Sequence, residues 1–356
     1  MIKFLHAADF HLDAAFSALT GEQAALRRRE QRELLDELAV LCRDRELVLL
    51  SGDLFDGAHV YRDTLDALKR FFAAVSAEIF IAPGNHDALV SGSPYLTEDW
   101  GENVHIFTEE KPQCIAMPKL GCNVYGTAFR GQSCPPPLED FRVEDPAALN
   151  VMVLHGDLQP ASPYAPVTPE QIAASGLDYL ALGHIHTPRS ARLGTTLAAY
   201  PGCLMGRGFD ECGKKGVLLG TLEKGAATAE FVPIESRCYE ILTVEAGDDP
   251  LESVLAALPA EHRRDCYRIV LTGASDGIDL AALQARLEGE FFSLSLRDRT
   301  VPRAELWQDV GTDTLRGYAL EALRREYDDA DETQKPTVAL AARLLRDLMD
   351  GREVAL

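Results

Sequence analysis

Glu46-Leu47-Val48-Leu49-Leu50-Ser51-Gly52-Asp53-Leu54-Phe55-Asp56 carries an apolar run that stops at a glycine and an acid. Residues 46–51 have the length and composition of a buried strand. The runs 2–8, 78–82, 149–155 and 178–183 share that form, each closing on a motif residue. Between them, 21–44 and 60–75 repeat apolar residues at helical spacing, with Leu34, Leu35, Leu38 and Leu41 on one face and charges on the other. Strands alternating with helices predict α/β layering. In such sheets the ligand site opens beyond the carboxyl ends of the strands, where Asp9, Asp53, Asn85, His155 and His184 fall.

Farther along, 197–200, 217–222 and 229–234 are short, glycine-punctuated runs, expected to be antiparallel strands of a second sheet that completes a layered sandwich. A boundary is expected near Glu235. Residues 238–245, 251–258, 266–272, 278–288 and 291–297 then read as strand, helix, strand, helix, strand, a small α/β cap. In the last stretch Leu315, Tyr318, Ala319, Ala322 and Leu323 share a helix face. After an acidic turn with Pro336, a second helix carries Val338, Ala341, Leu345, Leu348 and Met349. This helical pair either packs on the cap or docks a partner helix. The expected division is 1–234, 235–300 and 301–356.

A chain of 356 residues exceeds the size at which one core keeps growing, so a large domain with a smaller appendage is expected. With 46% hydrophobic and 26% charged residues and no apolar stretch of bilayer length, it reads as soluble, without a membrane partner. Nothing at the N-terminus looks like a removable signal. Eight cysteines without a paired framework point to a reducing cytoplasm. A net charge of −21 opposes nucleic-acid binding, which draws on Lys and Arg releasing counterions. Bound metal ions would add about +4 in a cleft. Arg130, Arg189, Arg192, Arg207, Lys214 and Lys215 lie near the motifs in sequence, as a local positive field or as ordinary solvated surface.

Asp9-Phe10-His11, Gly52-Asp53, Gly84-Asn85-His86-Asp87, His155-Gly156-Asp157 and Gly183-His184-Ile185-His186 place carboxylate, amide and imidazole donors after five apolar runs. Two divalent ions sharing a carboxylate need this mixture. Five of the nine histidines fall inside the pattern. Extended backbone would aim Asp9 with His11, and His184 with His186, to one side. Asp53 is the expected bridging ligand. The Asn85 amide oxygen is a neutral ligand, which leaves His86 to meet substrate.

This set resembles the calcineurin-like metallophosphoesterases. Phe4 to Asp13 and Gly52 to Asp56 look most like the SbcD and YhaO group of DNA repair exonucleases, which are Mre-type nucleases. Tyr200-Pro201-Gly202, Gly206-Arg207, Glu211, Gly213, Lys215 and Gly216 strengthen the match. It covers residues 1–234. The resemblance implies an α/β/β/α sandwich with one ion on Asp9, His11, Asp53 and His186 and another on Asp53, Asn85, His155 and His184. Manganese is the implied metal, with iron, zinc, cobalt or magnesium as alternatives. His86 would stabilise the transition state or protonate the leaving oxygen, and Asp87 would orient that imidazole or cap its own turn. Arg207 and Lys215 are the candidate substrate contacts. Asp56 stands where archaeal and eukaryotic relatives carry histidine and bacterial ones commonly aspartate; it is expected to support the ligands from behind or to bond backbone in its own loop, and Asp157 to orient His155 or neighbouring structure. His6, His59, His105 and His262 lie outside the pattern.

The implied activity is two-metal DNA exonuclease cleavage, with a single-strand endonuclease activity open. An SbcC or Rad-type coiled-coil ATPase subunit is the implied partner, and dimerisation is typical of the resembling family. Motif chemistry alone says phosphoester hydrolysis, so a nucleotide or other small phosphoester remains an alternative substrate. A scaffold that recruits the ATPase is a further alternative.

Overall fold

A computed structural model describes residues 1–57, 59–275 and 277–351. The chain divides into two compact units, Met1–Cys238 and Tyr239–Leu356. In the first, β1 (Ile2–Ala7), α1 (Gly21–Leu41), β2 (Leu47–Leu50), α2 (Arg62–Ala74), β3 (Glu78–Ile81), α3 (Pro94–Thr97) and β4 (Val104–Ile106) precede β5 (Gln113–Met117) and β6 (Cys122–Gly126). There follow β7 (Leu149–His155), α4 (Pro169–Ala174), β8 (Tyr179–Gly183), β9 (Arg189–Leu193), β10 (Thr196–Tyr200), β11 (Gly216–Leu222) and β12 (Thr228–Pro233).

Two six-stranded mixed sheets result, ordered β12-β11-β1-β2-β3-β4 and β5-β6-β7-β8-β10-β9. Alternate residues of a strand face opposite ways, and here both ways lead to a core. Leu5, Ala7, Val48, Leu50, Ile79 and Ile81 pack with Leu34, Leu35 and Leu38 of α1 and Leu68, Phe71 and Phe72 of α2. Phe4, Leu47, Leu49 and Phe80 pack with Val124, Val151, Val153, Tyr179 and Ala181 of the other sheet. Burial on both faces explains why β1 to β3 read as continuous apolar runs. The far side of the second sheet, with Met152, Leu154, Leu180 and Leu182, packs with Ile172 of α4. The layers are helix, sheet, sheet, helix.

Only one of the three late runs joins the second sheet: β10 pairs parallel to β8, whereas β11 and β12 extend the first sheet by antiparallel pairing of β11 with β1. Strand composition does not encode the choice of edge, which long-range pairing decides. Helix α1 starts at a reciprocal cap, in which Gln23 N donates to Thr20 Oγ1 and Thr20 N donates to Gln23 Oε1.

The second unit holds β13 (Tyr239–Glu245), α5 (Pro250–Ala257), β14 (Cys266–Thr272), α6 (Leu280–Arg286) and β15 (Ser293–Asp298). Its three strands are parallel, with β14 central. Asp249 and Asp279 accept backbone N–H bonds at the starts of α5 and α6. Val244, Val254, Ile269, Leu271, Leu283 and Leu296 form the core. A 3-10 turn (Ala304–Trp307) leads to α7 (Leu315–Asp329) and α8 (Lys335–Met349), joined through Leu306, Leu320, Ala339 and Ala342. Residues 352–356 of the expected terminal segment lie outside the described residues. Among the described residues, no helix is long and apolar enough to cross a membrane.

Candidate metal centre

The strands of the first unit end just before, or at, the motif residues, and the chain then turns sharply. Asp9, His11, Asp53 and His184 have φ of 53°, 45°, 52° and 97°, in left-handed backbone. The expectation that extended backbone aims the paired side chains is therefore corrected, because the paired residues lie past the strand ends and turns bring them together. Non-glycine residues held this way cost on the order of 1–3 kcal/mol each and persist where the surroundings enforce them. Here the enforcement is a ladder: Asp9 N donates to Gly52 O (3.0 Å), His11 N to Asp53 O (2.9 Å) and Leu12 N to Leu54 O (2.8 Å). Two glycines allow the close approach. A Cβ on Gly52, whose φ is +85°, would sit 2.5 Å from His155 Nδ1, and one on Gly84 would sit 2.1 Å from Asp53 Oδ1.

What converges is a set of acceptors. His11 Nδ1 donates to Asp56 Oδ1 (3.0 Å) and His186 Nδ1 to Glu211 Oε1 (2.7 Å), so both Nε2 atoms carry lone pairs. Those two atoms lie 3.3 Å apart. His11 Nε2 is 3.7 Å from Asp53 Oδ2, and His186 Nε2 is 3.6 Å from Asp9 Oδ1. On the other side His155 Nδ1 donates to Ser51 O (2.9 Å), leaving Nε2 3.0 Å from Asn85 Oδ1 and 3.4 Å from Asp53 Oδ2. Lone pairs aimed at one another without an intervening donor repel. Cations remove that repulsion, and hard oxygens with imidazole nitrogens fit divalent ions. Three groups have ligand atoms within 4.8 Å of one another: Asp9, His11 and His186; His11, Asp53 and His86; Asp9, Asp53 and His155. His184 stands beside them, its ring 5.2 Å from that of His155, with the Tyr164 ring 4.7 Å away and its N–H donating to Asp9.

Electrostatics prepare these groups. Burial pulls the imidazoles of His11, His155 and His184 down to about 4, which keeps them neutral and able to ligate. Burial, then the neighbouring Asp53 charge, raises Asp9 well above the usual carboxylate range. Burial opposes the Glu211 charge, yet hydrogen bonds from His186 and Arg207 hold its pKa far below the ordinary value.

The flanking residues take distinct positions. His86 is exposed and its N–H donates to Asp53 Oδ1 (3.0 Å); its Nδ1 lies 3.3 Å from the Asp56 carbonyl oxygen, which leaves Nε2 for a ligand. Asp87 makes no hydrogen bond to His86. It accepts from Gly84 N, Leu54 N, Phe55 N and Tyr95 Oη, so it organises the turn, with burial and the Asp53 charge pushing its pKa up to about 6. Arg207, a fifth exposed, donates to Asp56 and to Glu211. Lys215 is interior, at 5% exposure. Asp157 accepts from Gln159 N, while Ser51 holds His155. Glu211 enters from the sequence only as part of a motif. Its signal is an acid four residues after Arg207, and its contact with His186 spans 25 positions. Beside the centre lies a cavity of about 520 Å³ lined by residues including Phe55, His59, Asn85, His86, Val90 and Gln132.

The calcineurin-like phosphoesterase family model matches residues 2–188. Among individual proteins, the chain is 29% identical over 306 residues to YhaO of Bacillus subtilis (strain 168), an uncharacterized metallophosphoesterase, covering 77% of this chain and 72% of that one. It is 26% identical over 262 residues to the SbcD component of the SbcCD nuclease of the same organism, covering 60% and 64%. To the DNA double-strand break repair protein Mre11 of Methanopyrus kandleri it is 26% identical over 357 residues, covering 91% and 77%.

Proposed function

Because this chain belongs to the calcineurin-like phosphoesterase family, we propose that it is a two-metal DNA phosphodiesterase that degrades strands from their ends. The observation that carries the reading is the convergence on Asp53 of the imidazoles of His11, His86 and His155 and the Asp9 carboxylate, from three other strand ends. On this reading Asp9, His11, Asp53 and His186 hold one divalent ion, and Asp53, Asn85, His155 and His184 hold the other, with manganese as the first candidate. Bound there, the ions supply Lewis acidity and an activated water for attack on phosphorus.

The chain's own groups do the rest. Nδ1–H bonds to Asp56, Glu211 and Ser51 fix three imidazoles in the tautomer that frees Nε2. Asp87 holds the turn that presents Asn85 and His86. His86, anchored at Nδ1 by the Asp56 carbonyl, offers Nε2 to the leaving oxygen.

Nuclease substrate and partner draw support from the relatives, whose names include a nuclease component and a DNA break repair protein. On that basis residues 235–300 act as a cap and 301–356 as the docking segment for an SbcC or Rad-type coiled-coil ATPase, in a cytoplasmic assembly that can include a second copy. Leu315 and Tyr318, three residues apart on α7, are exposed and mark that segment. Leu315→Asp is expected to remove binding of the ATPase and to spare basal hydrolysis.

A second reading, a small-nucleotide phosphoesterase, draws on the cavity beside His86, whose lining among the described residues has no lysine or arginine. The test for both is digestion of end-labelled single- and double-stranded DNA with Mn, Mg, Fe and Zn, with Asp53→Ala as the blank. Metal-dependent shortening from the ends supports the nuclease. Intact DNA alongside hydrolysed bis-p-nitrophenyl phosphate supports the second reading.

A further inference from the structure

Arg207 stands between two carboxylates, and each of those carboxylates holds one imidazole. Its Nη1 donates to Asp56 Oδ1 (3.0 Å), the same oxygen that accepts from His11 Nδ1 (3.0 Å). Its Nη2 donates to Glu211 Oε1 (2.8 Å), the same oxygen that accepts from His186 Nδ1 (2.7 Å). Glu211 Oε2 is also taken, by Arg207 N (2.8 Å) and Arg207 Nε (3.4 Å). Glu211 is buried, at 4% exposure. The result is a closed chain from His11 through Asp56, Arg207 and Glu211 to His186, whose two ends meet where the Nε2 atoms face each other at 3.3 Å.

We propose that Glu211 is a positioning residue for one ion only, and that Arg207 couples it to Asp56 so that His11 and His186 are set as a pair. The assignment rests on the two-ion reading above. Its physical content is an asymmetry. His11 and His186 are each backed by a charged carboxylate, which orients the ring and makes Nε2 a stronger donor. His155 is backed by a neutral carbonyl, Ser51 O, and His184 has no hydrogen bond to a ring nitrogen among the described residues. Two carboxylates this close to the acidic centre would add to the repulsion between Asp9 and Asp53. The guanidinium, fixed at three of its nitrogens, offsets that charge and holds both carboxylates at a set spacing. Lysine could neutralise the charge but could not span both partners with a planar fork.

The test is cobalt titration of the full chain, following stoichiometry and the visible absorption of each site, with circular dichroism as the check on folding. Wild type is expected to hold two Co²⁺ per chain. Glu211→Ala is expected to keep one at wild-type affinity and to weaken the other about 10- to 100-fold, the usual scale for losing the partner of a ligating histidine. Glu211→Gln, whose carbonyl still accepts from Nδ1–H, should fall between them, and it carries the test if Glu211→Ala does not fold. Arg207→Lys should weaken the same ion and leave the other spectrum unchanged. Two ions bound equally tightly by wild type and Glu211→Ala, or both ions weakened alike, would overturn the assignment while the two-ion reading stands. A wild-type chain that takes up no cobalt would overturn that reading and the assignment with it.

Discussion

The strand ends of the first unit and the three-stranded sheet of the second are built on opposite terms. In the second unit, helices α5 and α6 begin at aspartate caps, the strands run parallel in simple order, and the core is aliphatic and aromatic. Local preference and tertiary structure agree there. At the strand ends of the first unit, Asp9, His11, Asp53 and His184 sit in left-handed backbone, buried carboxylates face each other, and imidazole lone pairs converge. Such a region persists where the packed sandwich around it enforces it, and on the reading proposed above what it gains is a rigid set of cation ligands. On the two-ion reading, the strand ends give up stability for binding, whereas the small parallel sheet has no such cost.

The sharpest way to break this contrast is at Asp53. Asp53→Asn is expected to lower metal-dependent hydrolysis of bis-p-nitrophenyl phosphate by about 10³-fold or more, while the metal-free chain becomes about 1 kcal/mol more stable through lost repulsion with Asp9. A variant less stable than wild type by urea unfolding would show that the buried charges are not a burden. Metal addition is the next largest effect. At a thousand-fold excess over the dissociation constant, binding should stabilise the first unit by about 4 kcal/mol and leave Asp53→Asn nearly unmoved in a thermal scan.

Glycines sharpen the comparison further. Gly84→Ala puts a methyl 2.1 Å from Asp53 Oδ1 and 2.8 Å from Asp53 N, and should cost about 3 kcal/mol along with metal binding. Gly289→Ala, at φ +85° with open space around it, should cost about 1 kcal/mol through backbone strain alone. Equal costs in chemical denaturation would remove the distinction. A pH-dependent effect comes from His6, buried between Tyr179 Oη (2.9 Å) and Ser51 Oγ (3.0 Å), where burial takes its pKa down to about 3. Between about 3 and the unfolded value of 6.5 the unfolded chain binds a proton that the native chain refuses. Stability therefore falls as pH drops below about 6.5, by about 1.4 kcal/mol per unit from this group. His6→Gln should flatten the profile by that amount, and an unchanged slope would assign the dependence to other groups.

Much of this arrangement is written in local sequence. Buried strands such as 149–155 are short apolar runs, and the helices carry one apolar face, so the layers could be read before any coordinate. Donor residues at the run ends marked the cleft in the same way. Three features were not legible. The edge on which β11 and β12 pair depends on a strand more than 200 residues away, and period-2 patterns do not name a partner. The left-handed turns at Asp9 and Asp53 use aspartate, which serves as readily in ordinary caps and turns, so residue type alone does not announce them. Glu211 and Asp56 reach their histidines across 25 and 45 positions, so only the folded sheet ends bring carboxylate and imidazole together.

The proposed mechanism centres on cations held around Asp53, and anomalous diffraction from crystals grown with manganese tests it directly. Two peaks are expected, one among Asp9, His11, Asp53 and His186 and one among Asp53, Asn85, His155 and His184. A difference map without peaks at those donors, with the imidazole nitrogens turned away from one another, would contradict it.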